Sequence, residues 1–461
     1  MTEKALVYGL AVAGVATVRA MTARGIHVVA ADDTKTPARV ALAEDLGVDL
    51  HIAPDDDQLD RLVAASDVVV PAPGVPEDHR VMVAARGRDR ALASEIELAY
   101  RWEQERPGGP RPMLVVTGTD GKTTTTLMAV DMLAAAGCRS VAAGNTDIPL
   151  VTAIDLDVDA FVVECTSFRL ALTEHFRGEA AAWLNLAPDH LNWHRSMATY
   201  AEAKDKIFAH QRPDDVAIAF RDDAAVMRRL ATAPARPVTF ARRDADYFVA
   251  RDPAAGDVLM APSGPLAPVS SLRRSLPHDL TNGLAAAALV LESGLADTSS
   301  VAGALGRFVG PPHRIEFVGE VDGVGWYNDS KATTPHAASV AIAGFGGGDG
   351  RVVLIAGGRN KGLDLTPMAA QAARVRTVVA IGEAADGVVD VFTGAAAALQ
   401  ILRASSMPEA VDVAGAAARP GDVVLLSPGC ASFDWYPDGG YEARGDQFRD
   451  LVRARTTQEQ P

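Results

Sequence analysis

Residues 113 to 126, MLVVTGTDGKTTTT, constrain the fold more than any other stretch of the chain. The apolar run predicts a buried strand, the glycines at 118 and 121 predict a tight turn, and Leu127, Val130, Met132 and Leu133 continue at helical spacing. A strand that passes through a glycine turn into a helix belongs to a parallel α/β sheet, because the helix must carry the chain back before the next strand can pair. The turn also has a chemistry. Glycines let backbone N–H groups face inward, the helix start adds positive potential, Lys122 supplies a point charge and the Thr123 hydroxyl suits Mg²⁺. Gly118, Thr119, Asp120, Gly121, Lys122, Thr123 and Thr124 are therefore the expected loop around a phosphate group. The bland alternative is a glycine turn with a solvated lysine, and the flanking strand and helix argue against it. The generic GxxxxGK[ST] spacing is not met, because position 116 is Val116.

The chain has 461 residues, too many for one comfortable core, and its pattern divides into three blocks. ALVYG, HVVAAD and DVVVPAPG predict strands of a first α/β block, which ends in the linker-like EQERPGGPRP at 103 to 112. FVVEC, AAWLNL and the helical TYAEAKDKIFAH belong to the second, whose stretch from about 212 to 275, rich in proline and paired arginines, predicts irregular structure. GPPHR at 310 halts the preceding helix, and RVVLIAGG, TVVAIG and DVVLLSPG predict buried parallel strands beyond it. The expected domains are 1–106, 107–310 and 311–461.

A formal charge of −15 disfavours general binding to nucleic acid or anionic membranes, so any phosphate site must be local. Cys138, Cys165 and Cys430 form no CxxC pair and no even set, which fits a reducing cytoplasm. No segment reads as a signal peptide or a spanning helix, so a chain without membrane insertion is expected.

The compressed form GTxGKT resembles the phosphate loop of the Mur ligase and folylpolyglutamate synthase superfamily. VVECTSFRL, NLAPDHLNWH, YAEAKDKIF, PPHRIE, NDSKATTP and SPGCASFD follow in the order of the Mur ligases. The last two, with YEARGDQF, point to the D-glutamate-adding branch, and the absence of a DNPR-like motif disfavours the diamino-acid branch. The resemblance implies an α/β protein with a Rossmann-like N-terminal domain, a central P-loop ATPase-like domain and a Rossmann-like C-terminal domain. It implies ATP-dependent ligation of D-glutamate to UDP-N-acetylmuramoyl-L-alanine through an acyl phosphate, a step of cytoplasmic peptidoglycan precursor synthesis. The implied partners are these small molecules alone, and a monomer is expected. Another superfamily ligase, or a non-enzymatic nucleotide switch, remains the alternative at this point.

Site residues follow from the same resemblance. Glu164 and Thr123 are implied ligands of one Mg²⁺, and His190 with Lys204, carbamylated in the family, ligands of a second. Glu164 alone would read as a paired strand-end carboxylate, His194 is left as a structural histidine, and Lys206 reads as a solvent-facing residue. Asn282 resembles the asparagine at the adenine, with a helix N-cap as its other reading. Arg314 and Asp329 are implied at ATP, the arginine because its planar fork suits phosphate oxygens. Lys331, Thr333, Lys361, Ser432, Phe433 and Tyr441 are implied around D-glutamate, with Lys331 among the catalytic cations beside Lys122.

GLAVAG at 9 to 14 keeps Gly9 and Gly14 but has Ala11 where GxGxxG has glycine, and Asp32 and Asp33 supply only the acid of a dehydrogenase fingerprint. The resemblance assigns Gly9, Leu10, Gly14, Asp32, Asp33 and Gly74 to the uridine diphosphate, and Asn145 and His190 to the rest of the precursor. Departures from the family pattern include Asp120 in the loop, TSFRL for the frequent SSFQL, and Ala187 and Pro188 before Asp189.

Overall fold

The computed structural model describes residues 4–345, 351–360, 362–396 and 399–458. Lys361 lies outside the described residues. The chain forms two compact units, one ending at Phe308 and the other beginning at Val309.

In the first unit, β1 (Lys4–Tyr8), β2 (His27–Asp32), β3 (Asp49–Ile52), β4 (Val68–Pro71) and β5 (Ala91–Leu92) form a sheet in the order β3-β2-β1-β4-β5. All its pairs are parallel. A second sheet holds β6 (Met113–Thr117), β7 (Ser140–Gly144), β8 (Ala160–Glu164), β9 (Ala180–Trp183), β10 (Val216–Phe220) and β11 (Arg236–Phe240), in the order β11-β10-β9-β6-β8-β7. It too is parallel throughout, and β6, β8 and β9 are buried along their whole length, as apolar runs covered on both faces must be.

The segment expected to be a plain linker is tied down. The helix Glu95–Gln104 runs into it, and Glu103 at its end forms a buried bidentate pair with Arg111 (2.8 Å at both Nε and Nη2). Ile96, Leu98, Ala99 and Tyr100 of that helix share one core with Val18 and Met21 of the first sheet's layer and Phe161 and Phe176 of the second's. On the other face of the second sheet, the helices Lys122–Ala135 and Pro277–Glu292 share a core through Met128, Met132, Leu133, Leu284 and Leu289. The expected stripe at 127 and 130 is only half-buried, and Thr125 and Thr126 are fully buried instead.

The stretch from 212 to 275 is more regular than expected. It holds β10, the helix Ala224–Leu230, β11 and an antiparallel meander of β12 (Phe248–Asp252), β13 (Gly256–Ala261) and β14 (Gly264–Pro268). Its prolines and glycines mark the turns and strand ends of short strands, a pattern that masks them in a residue-by-residue reading.

The second unit has one sheet of β15 (Glu316–Val321), β16 (Val324–Asn328), β17 (Val352–Gly357), β18 (Val375–Ile381), β19 (Gln400–Ala404) and β20 (Val423–Leu426), ordered β15-β16-β20-β17-β18-β19. Only β15 with β16 is antiparallel.

Candidate active site

The carboxyl edge of a parallel sheet collects loops, helix N-termini and polar side chains at one rim, and in the second sheet it collects the residues expected at the phosphates and the metal. Val116 of β6 pairs in register with Glu164 of β8, and Thr117 with Trp183 of β9. Gly118, Glu164 and the residues after Trp183 therefore leave the sheet side by side. Gly121 caps the helix Lys122–Ala135 with φ of 84°, and a Cβ there would meet Asn282 Oδ1 at 2.5 Å. Both the backbone and the close approach require glycine. No side chain caps this helix, so the first-turn N–H groups face outward at the positive end of its dipole.

The loop is braced by a residue that the sequence reading did not single out. Asn185 Oδ1 accepts from Thr119 N and Asp120 N, both at 2.9 Å, and its Nδ2 donates to the Asp120 carbonyl. These two amides are thus spent on Asn185, and the helix start that follows has no side-chain cap. Thr119 Oγ1 lies 3.2 Å from Tyr200 OH and accepts from Ala187 N. Asn185 interrupts the apolar run AAWLNL two residues past the end of a buried strand, and a lone polar residue there is the signal that could have found it.

Two ammonium groups converge on the loop. Lys122 Nζ donates to the carbonyls of Gly118 and Thr119, and Lys204 Nζ donates to Gly118 O, each at 2.8 Å. Lys204 is 1 % exposed and lies over the Tyr200 ring. Burial, aided by the charge of Lys122, pushes its pKa far below the usual lysine value. Lys206, expected to face solvent, is half-buried and donates to Ala171 O and Thr173 O at the end of the helix Ser167–Ala171, because its stem lies along the protein surface.

Glu164 is 1 % exposed; its Oε1 accepts from Asn145 Nδ2 at 2.8 Å, while its Oε2 is buried with no hydrogen-bond partner. A lone carboxylate oxygen buried this way is costly unless a cation or donor completes it. His190 stands beside Asp189 (3.3 Å) and edge-on to Phe168, and burial holds its imidazole below the ordinary value, opposed by Asp189 and reinforced by Lys122 and Lys204. His194 is a core histidine, bonded to Ser167 Oγ at 2.7 Å and stacked on Phe168. Burial pushes its pKa down to about 4. Asn282 sits in the sixth position of its helix, so it is no N-cap; that end is closed by Asp279, which accepts from Leu276 N. Among the described residues no three His, Cys, Asp or Glu side chains form a metal cluster.

At the carboxyl edge of the first sheet, Gly14 approaches so closely that a Cβ would lie 1.8 Å from Gly9 O. Leu10 N donates to Asp32 Oδ2 (2.7 Å), while Asp32 Oδ1 takes Thr34 N and Arg39 Nη1, so this carboxylate braces the turn. Asp33 accepts from Tyr8 OH and faces His79. Gly74 is exposed with open space around it.

In the second unit the loops after β16 and β20 hold Asp329, Lys331, Thr333, Ser432 and Phe433. Asp329 is buried and accepts from Ser427 Oγ (2.7 Å) and from the N–H of Ile315, the residue that follows Arg314. Lys331 Nζ lies 3.7 Å from the centre of the Tyr441 ring. Ser432 is buried and Phe433 exposed. Arg444, missed in the sequence, is 1 % exposed and clamps both loops through Ser330 Oγ and O and the carbonyls of Cys430 and Ala431. Burial lowers its pKa to about 10.

Comparison with known proteins sets these features in a family. Residues 116–290 match the Mur ligase middle domain, and residues 313–430 match the Mur ligase, glutamate ligase domain. A relative from Frankia casuarinae named UDP-N-acetylmuramoylalanine--D-glutamate ligase is 40 % identical, covering 98 % of this chain and 94 % of that protein. One of the same name from Pelotomaculum thermopropionicum is 36 % identical over 98 % and 97 %. Among solved structures, the MurF ligase of Thermotoga maritima in complex with ADP superposes with a TM-score of 0.60 at 15 % identity, covering 99 % of this chain and 96 % of that one.

Proposed function

The chain belongs to the Mur ligase family, and from that premise we propose that it is the ATP-dependent ligase that joins D-glutamate to UDP-N-acetylmuramoyl-L-alanine in peptidoglycan precursor synthesis. The observation that carries the reading is a glycine loop flanked by two lysines and by a buried carboxylate that keeps one oxygen without a partner, all on one sheet edge.

A carboxylate is too poor an electrophile for an amine, so ATP first converts it to an acyl phosphate and ADP is formed. The amine of D-glutamate adds to the acyl carbon, and the tetrahedral intermediate collapses to an amide and inorganic phosphate. Both steps crowd anions together. Lys122, Arg314 and Lys331 offset that charge, while the helix start at Lys122 orients the phosphates. Gly118, Thr119, Asp120, Gly121, Thr123, Thr124, Asn282 and Asp329 complete the ATP contacts. The precursor is held by Gly9, Leu10, Gly14, Asp32, Asp33, Gly74, Asn145 and His190, and D-glutamate by Lys331, Thr333, Lys361, Ser432, Phe433 and Tyr441. On this reading residues 1–106 serve the precursor, 107–310 ATP and 311–461 the amino acid.

Mg²⁺ fits the residues present. The buried Glu164 Oε2 lacks a partner, and Glu164 with Thr123 offers hard oxygen donors to an ion that keeps waters and phosphate oxygens as its remaining ligands. Bound there, Mg²⁺ would neutralise phosphate charge. A second ion would be held by His190 and by Lys204 once carbamylation had turned its amine into a carboxylate, and it would add further positive charge beside the phosphates. No helix among the described residues is long and apolar enough to cross a membrane. A cytoplasmic monomer acting on small molecules is the reading that accompanies this function.

The test is incubation of the protein with UDP-N-acetylmuramoyl-L-alanine, ATP, Mg²⁺ and either D- or L-glutamate, read by mass spectrometry. The D-glutamyl amide with stoichiometric ADP is expected; ATP cleavage without an amide contradicts the function.

A further inference from the structure

The partner of Glu164 Oε1 is itself held by a chain of hydrogen bonds that reaches into another layer of the unit. Asn145 follows Gly144, where β7 ends, and its N–H donates to the Glu164 carbonyl at 2.9 Å. That approach needs glycine beside it, since a Cβ on Gly144 (φ 89°) would stand 2.5 Å from Glu164 O. The Asn145 side chain then donates Nδ2–H to Glu164 Oε1 (2.8 Å) and accepts at Oδ1 from Arg169 Nη1 (2.9 Å). Arg169 in turn donates Nε–H to Glu95 Oε1 at 3.0 Å, and the two ionic side chains are 7 % and 2 % exposed. Glu95 opens the helix Glu95–Gln104, and its Oε2 accepts from Val151 N.

An asparagine amide can flip, and a flip here would turn Oδ1 toward the Glu164 carboxylate. Arg169 forbids it, because a guanidinium only donates and so must face Oδ1. With Asn145 oriented, Glu164 spends Oε1 on Nδ2–H, and Oε2 is left pointing where no protein donor completes it. Arg169 needs a buried counter-charge to hold this place, and Glu95 is that charge.

We infer that Arg169 and Glu95 are positioning residues for the metal-binding oxygen of Glu164, acting through Asn145. The inference rests on the assignment of Glu164 as a Mg²⁺ ligand. Outer partners that orient a ligand typically change metal affinity by roughly 10- to 100-fold.

The experiment uses the full chain with ADP and Mn²⁺ as a paramagnetic stand-in for Mg²⁺, with free Mn²⁺ read by electron paramagnetic resonance and folding by thermal melting. Glu164→Ala should lose the site. Glu95→Gln combined with Arg169→Met removes both buried charges and the donor to Asn145, and should weaken Mn²⁺ by about 10-fold or more. Glu95→Gln with Arg169→Gln restores a donor and should bind within about threefold of the parent, a rescue that loss of packing alone would not produce. Should the Met variant not fold, Arg169→Lys carries the test: it keeps the charge but gathers its donors on one nitrogen, whereas Arg169 reaches Glu95 through Nε and Asn145 through Nη1, and several-fold weaker binding is expected. Parent-like Mn²⁺ binding in the Met or Lys variants, with Glu164→Ala defective, overturns the positioning role. Parent-like binding by Glu164→Ala overturns the metal assignment and the inference with it.

Discussion

Two buried polar clusters in the first unit obey opposite rules. Along the helix Glu95–Gln104 the carboxylates are matched: Glu97 accepts from Arg101 and from the backbone N–H groups of Glu174, His175 and Phe176, and Glu103 is clasped by Arg111, which also reaches three carbonyls. At the carboxyl edge of the second sheet, Glu164 keeps an oxygen without a partner, and Lys204 is buried against a carbonyl, a hydroxyl and a ring, with no direct ion pair among the described residues. Buried charge is tolerated only when paired, so the matched cluster is explained by the chain alone, while the free Glu164 oxygen is where the proposed Mg²⁺ would complete the pairing. The contrast separates residues that hold two sheets together from residues proposed to hold a ligand.

The sharpest break of this contrast is Lys122→Ala. Removing a charge held at the loop should cut ADP formation by at least about 10⁴-fold, ~5.5 kcal/mol, with the melting temperature little changed. A large fall in stability with activity retained would move Lys122 to the structural side. Glu103→Ala should do the reverse, stranding the buried Arg111 at a cost of about 4 kcal/mol in denaturant unfolding while leaving the KM for ATP unaltered. Replacing both partners, Glu103→Leu with Arg111→Met, should recover most of that loss.

Acid titrates a third kind of group, buried but neutral. His194 has a folded pKa of about 4 against 6.5 for an ordinary histidine, so between those values the unfolded chain holds more protons. Its contribution is complete above pH 6.5 and is lost as pH falls through the window, amounting to about 2 kcal/mol between pH 8 and 5. Denaturant curves at both pH values should show a smaller difference in His194→Asn; an equal difference would remove His194 from the account. The smallest effect belongs to Asn185→Ala. Loss of two bonds to the loop amides should raise the KM for ATP by about tenfold, ~1.4 kcal/mol, and an unchanged KM would mean that the loop keeps its shape without them.

The sequence makes the phosphate loop legible because its function depends on a short run of residues, and glycine, lysine and threonine at fixed spacing have few other uses. Glu164, His190 and Lys204 are singled out only through motif order, since one carboxylate or one lysine by itself carries no signal. What a linear reading cannot supply is pairing across the chain. Glu103 with Arg111 turned an expected linker into a fixed turn, Asn282 proved to be mid-helix against Gly121, and Lys206 covers carbonyls near Thr173. Arg169 and Arg444 lie inside quoted motifs, yet their importance rests on burial and on partners 74 and 114 residues away. The meander of β12 to β14 was hidden because its turns dominate so short a stretch.

The most direct test of the reaction follows oxygen. With the precursor carboxylate labelled with ¹⁸O, transfer of the terminal phosphoryl group of ATP to that carboxylate predicts that each turnover delivers one labelled oxygen into inorganic phosphate. Phosphate free of label, formed together with the amide, would contradict the acyl-phosphate route on which the roles of Lys122 and the residues around it depend.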